Sequence, residues 1–69
     1  MEMAPMKIQA EIPDNLRSFE FILAWEEMKA RFDWLNQSYW LHHFSVIGEK
    51  KALREIEKEI EYADKMSRN

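Results

Sequence analysis

The chain is 69 residues long, carries a formal net charge of −3 and has no cysteine. Those facts exclude disulfide staples, thiolate metal sites and a cysteine nucleophile, and the length allows one domain, spanning residues 1–69, of marginal stability as a monomer. Four basic and seven acidic residues precede Asn36, and six of each follow from there, so no basic patch exists and non-specific phosphate binding is disfavoured.

Hydrophobic residues make up 46% of the chain and aromatics 13%, far from the profile of a disordered polypeptide. One glycine and two prolines leave little material for turns, which favours long helices over a many-stranded sheet. Met1 to Lys7 holds no apolar run of the signal-peptide kind. The longest uncharged stretch, residues 34–48, is too short and too polar to span a bilayer. The lack of cysteine leaves the redox compartment open and fits a cytosolic protein at least as well as a secreted one; with the features above we expect a cytoplasmic protein without membrane contact.

Residues 1–6 read as a loose, flexible terminus. Residues 7–12, "KIQAEI", alternate Lys7, Gln9 and Glu11 with Ile8, Ala10 and Ile12; this period of two predicts a short strand or extended arm with one buried face. Pro13 favours extended geometry at Ile12, and Asp14 is placed to cap the helix that follows.

From Asn15 to Ile47 no glycine or proline occurs. Phe21, Trp25, Met28, Phe32, Leu35, Tyr39, His42 and Val46 recur in alternating steps of four and three, which puts them on one stripe of a helix. This predicts one long helix over about residues 14–47. A candidate break lies at 33–38, where Asp33, Asn36 and Ser38 are weak helix formers. An unbroken helix would be about 50 Å long. The competing local reading is a strand over residues 39–47, since Tyr, Trp, Phe, Val and Ile favour strands. Both faces of such a strand would mix polar and apolar residues.

Gly48 is the expected stop, because glycine tolerates a left-handed helix end. Beyond it, Leu53, Ile56, Ile60 and Ala63 step by three, four and three among mostly charged neighbours. That pattern predicts an amphipathic helix over about residues 50–66, folded back on the first as a helical hairpin.

The first helix carries a second stripe: Leu16, Phe19, Leu23, Ala30, Trp34, Leu41 and Phe44. It lies nearly opposite the first, since two residues along a helix turn it by about 200°. One short helix cannot cover both sides, and each large apolar side chain left wet forfeits about 1.5–3 kcal/mol. The expected solution is a homodimer with coiled-coil-like packing, together with a protein partner. The expected contact residues are Phe21, Trp25, Met28, Phe32, Trp34, Leu35, Tyr39, Trp40, Leu41 and Phe44.

Candidate chemistry is thin. His42 and His43 are adjacent and point about 100° apart on a helix, unlike the H-E-x-x-H or E-x-x-H spacing of metal sites. The spacing places His42 on the stripe at the core margin and His43 at the surface. Ser18, Ser38, Ser45 and Ser67 lie in no G-x-S-x-G elbow, and a single glycine leaves no loop for an oxyanion hole. Glu26, Glu27 and the run Glu55, Glu57, Glu59, Glu61 fit solvated faces better than acid–base pairs. Trp25, Trp34 and Trp40 with Tyr39 and Phe44 could stack on bases, but only Lys29 and Arg31 stand near them in sequence. No cofactor is expected, and an enzyme is not the reading these residues favour.

The stretch "KIQAEIPDNL" resembles the opening of ribbon-helix-helix DNA-binding proteins. The resemblance implies paired strands in the major groove with Lys7, Gln9 and Glu11 facing bases. It covers Lys7 to Leu16 and is weakly specific. The rest departs from that pattern, because the family turns after a short first helix while the helical period here runs on, and Glu11 would face phosphate. The reading favoured by the sequence is therefore a small, acidic, non-catalytic regulatory protein of inhibitor or adaptor type. The alternative is a dimeric DNA-binding regulator.

Overall fold

A computed structural model describes residues 10–67. They form three helices: α1 (Phe19–Arg31), α2 (Gln37–Ile47) and α3 (Glu49–Ser67). A single 3₁₀ turn, Asp14–Leu16, precedes them. No strand occurs among the described residues. The expected strand at 7–12 lies largely outside them, and its last residues, 10–12, have no regular secondary structure.

The first helix begins at Phe19 and not at Asp14. Asp14 belongs to the 3₁₀ turn, in which the Leu16 amide donates to the Pro13 carbonyl at 3.0 Å. This turn drives Leu16 fully into the core. Ser18, extended at φ −68° and ψ 153°, is the true N-cap, and its Oγ accepts the Phe21 amide at 3.0 Å. That bond satisfies one of the amides a helix start leaves free.

The long helix breaks at residues 32–36, close to the expected place. Phe32 leaves helical geometry at φ −126°, ψ 74°, and the Leu35 amide donates to its carbonyl at 3.0 Å. Asn36 then caps α2 by accepting the Tyr39 amide on Oδ1 at 3.1 Å. Residues 39–47 are helical throughout, so the strand alternative for them does not hold.

The break decides which stripe is buried. In α1 the buried residues are Phe21, Trp25 and Met28, from the first stripe. In α2 they are Leu41 and Phe44, from the second. In an unbroken helix Met28 and Leu41 would sit about 220° apart, facing away from each other. Interrupting the helix lets both face one core.

Gly48 adopts φ 95°, ψ 158°. Its amide closes α2 on the Phe44 carbonyl and its own carbonyl accepts the Ala52 amide, both at 2.9 Å. One residue therefore ends α2 and starts α3. The conformation is not the left-handed helical one expected at such a stop but the mirror-extended region, which is essentially restricted to glycine.

The third helix packs on both others, so the chain forms a three-helix assembly and not a two-helix hairpin. Ser18 meets Glu49 at one end of the α1–α3 pair, and Arg31 meets Asp64 at the other. These two helices consequently run in the same direction. The second helix runs back against α3, and His43 reaches Glu55 across the Gly48 corner at 3.0 Å. The core comprises Leu16, Phe21, Trp25, Met28, Leu41, Phe44, Ala52 and Ile56. Phe44 is its centre: its ring lies 6.0 Å from Phe21, 6.1 Å from Trp25 and 5.6 Å from Trp40. Edge-on and tilted contacts of this kind add to area burial.

Candidate interaction surface

Ten residues were expected at an interface, and the fold divides them. Phe21, Trp25, Met28, Leu41 and Phe44 are buried within the chain itself. They hold its own core together and present no surface to a partner. Phe32, Leu35 and Trp40 are half-buried against that core. Trp34 and Tyr39 are exposed, at 76% and 61%.

What stays uncovered is the complement of what the core takes. On α1 the second stripe remains outside, with Phe19 75% and Leu23 50% exposed. On α2 the first stripe remains outside, with Tyr39 and Val46 facing solvent. Trp34 projects from the linker and meets Phe32 edge-on at 5.7 Å. Phe19, Leu23, Trp34, Tyr39 and Val46 are thus the large apolar side chains of α1, the linker and α2 that the core leaves uncovered; tryptophan and tyrosine are among the residue types most often found at binding hot spots.

A second feature was not legible in the sequence. An open groove of about 420 Å³ runs between α1 and α3. Its floor is Ala24, Leu53, Ile56 and Ile60, and its rim is Glu27, Glu57 and Glu61. Only the parallel pairing of α1 and α3 brings these residues together. The sequence signal is slight: Ala24 is a small side chain beside Phe21 and Trp25.

The histidines exchange the expected roles. His43 is half-buried, and its Nε2 lies 3.0 Å from Glu55 Oε1, with the Trp40 ring edge-on at 5.7 Å. His42 is exposed and lines a shallow pocket of about 250 Å³ with Glu11, Ser38 and Ser45. The reason is again the phase change at the break, which turns the first stripe outward in α2. Ser45 is engaged elsewhere, donating through Oγ to Asn15 Oδ1 and accepting Asn15 Nδ2 on its carbonyl, both at 3.0 Å.

Of the three residues suggested for DNA contact, Lys7 and Gln9 lie outside the described residues. Glu11 is exposed, 3.9 Å from Arg17 Nη2. Among the described residues no three His, Asp or Glu side chains converge as metal ligands, and no helix is long and apolar enough to cross a membrane. Compared with known proteins, the chain matches no family model, no curated protein and no solved structure.

Proposed function

We propose that this chain is a small non-catalytic interaction protein of the cytoplasm. In this reading it acts as a homodimer and regulates another protein by docking on it, as an inhibitor or adaptor does. One observation carries the reading: the core is already complete, yet Phe19, Leu23, Trp34, Tyr39 and Val46 remain at least half exposed. Covering each of these is worth up to about 1.5–3 kcal/mol, a large driving force beside the 5–15 kcal/mol or so that holds a small domain together.

The dimer half of this reading is tested by sedimentation and light scattering. The expected mass is twice 8.4 kDa, falling to the monomer when Phe19→Ser and Leu23→Ser are combined. A wild-type chain that stays monomeric at high concentration overturns the dimer, and a tagged chain that retains no host protein overturns the docking role.

A second reading, a dimeric DNA-binding regulator of ribbon-helix-helix type, gains support from one feature. The end of α1 at Arg31 and the start of α2 at Gln37 supply the turn between two helices that such proteins have. The acidic side chains of Glu11 and Asp14, close in sequence to Lys7 and Gln9, count against it. Salt-dependent binding of duplex DNA that disappears in Lys7→Ala favours this reading; no binding at low salt removes it.

A further inference from the structure

We propose that the α1–α3 groove is a docking site for an amphipathic helix of another protein, one with an apolar stripe and lysine or arginine on its flanks. The proposal rests on the interaction reading above and gives the partner a chemistry. The apolar surface the groove offers comes from half-buried Ala24, Leu53 and Ile60, lying over the fully buried Ile56. From Leu53 to Glu61 the helix rises about 12 Å, room for a little over two turns of an incoming helix. Side chains spaced i, i+3/i+4 and i+7 on that helix meet such a floor in the usual helix-in-groove manner.

The rim sets the charge of the occupant. Glu27 stands on the α1 wall, Glu57 and Glu61 on the α3 wall, and no lysine or arginine lines the groove. Glu57 and Glu61 are one turn apart, a spacing at which like charges repel. Among the described residues neither has a cation within ion-pairing distance. Glu27 shares Arg31 at 3.6 Å, but that guanidinium is also held by Asp64 at 3.1 Å. A cationic flank on the occupant would face this acidic rim directly, whereas Lys58 and Lys65, one turn from Glu61 on α3, do not line the groove. The exposed α1 stripe of a second copy offers no such free cation: Glu20 adjoins Phe19 and Leu23, and Lys29 is already paired with Glu26 at 3.0 Å.

The test uses the full isotope-labelled chain and a synthetic amphipathic peptide of leucine and lysine, with a leucine–glutamate version as control. The lysine peptide is expected to bind and to shift the resonances of Ala24, Leu53 and Ile60 ahead of those of Phe19, Leu23 and Trp34. The glutamate peptide is expected not to bind. Combining Glu57→Gln with Glu61→Gln should weaken binding about fivefold or more, whereas Glu11→Gln with Asp33→Asn, an equal charge change away from the groove, leaves it within about twofold. Circular dichroism checks that each variant is folded. Equal weakening by both pairs, shifts centred on Phe19 and Trp34, or no binding overturns the proposal. Light scattering on the same sample separates the two ideas: a dimer that ignores the peptide removes the groove alone, and a monomer that ignores it counts against both.

Discussion

The hydroxyl of Ser18 donates to Glu49 Oε2 at 2.8 Å while accepting the Phe21 amide at 3.0 Å. One oxygen thus caps α1 and ties its first turn to the first turn of α3, which starts 30 residues later in the chain. The parallel registry of the two helices, and with it the groove between them, depends on this end being fixed.

Replacing Ser18 with alanine removes both bonds. Loss of an N-cap costs about 1 kcal/mol, and loss of a further side-chain hydrogen bond a similar amount. Urea denaturation of Ser18→Ala should therefore show a loss of about 1–2 kcal/mol. Ser67→Ala, whose hydroxyl bonds only the Asp64 carbonyl near the end of α3, should lose much less. Equal losses in the two variants would show that Ser18 plays no joining role.

Gly48 has open space where a Cβ would stand, with no atom within 4 Å. Any cost of substitution is therefore backbone strain. At φ 95°, ψ 158° that strain is about 1–3 kcal/mol for a residue with a Cβ. Asparagine, which eases left-handed helical positions, gives no relief in this region. Thermal melts of Gly48→Ala and Gly48→Asn should fall by similar amounts; a near-normal Asn variant would mean that the corner is left-handed helical.

Phe44 and Trp34 separate core from surface. Phe44→Ala empties the centre of the aromatic cluster and should cost about 3–5 kcal/mol, enough to unfold much of the population of a domain this small. Trp34→Ala, at a side chain 76% exposed, should shift stability by no more than about 0.5 kcal/mol while weakening association. Denaturation curves and light scattering on the two variants check both halves of this expectation.

Arg31 and Asp64 join the far ends of α1 and α3, but both side chains are partly solvated, at 32% and 50% exposure. A double-mutant cycle with Arg31→Ala and Asp64→Ala should give a coupling below about 1 kcal/mol that shrinks in high salt. A larger, salt-independent coupling would place the pair in a drier setting than the structure shows.

Local chemistry was readable where one residue carries it alone. Gly48 announces the corner, and Asp33, Asn36 and Ser38 announce the break. Asp14 misled because it enters the 3₁₀ turn that buries Leu16, and the helix starts only beyond it, capped by Ser18. The histidine roles were inverted because the regular three–four spacing was carried through the break as if the helix were continuous. The groove was invisible because its walls come from residues about thirty positions apart, and no local pattern encodes which helix lies beside which.

By itself the sequence determined that the chain is mainly helical, that residues 33–38 are the weakest point of its long apolar repeat, that it turns at its single glycine, and that it has more apolar surface than one stripe accounts for. Those properties follow from backbone preferences and from side-chain spacing along a short stretch. Which stripe goes inside was decided only in three dimensions, since the answer depends on how far the linker at 32–36 rotates α2 relative to α1. Tertiary packing also decided that α3 serves both other helices, which buries five of the ten residues marked for a partner and leaves Phe19, Leu23, Trp34, Tyr39 and Val46 outside.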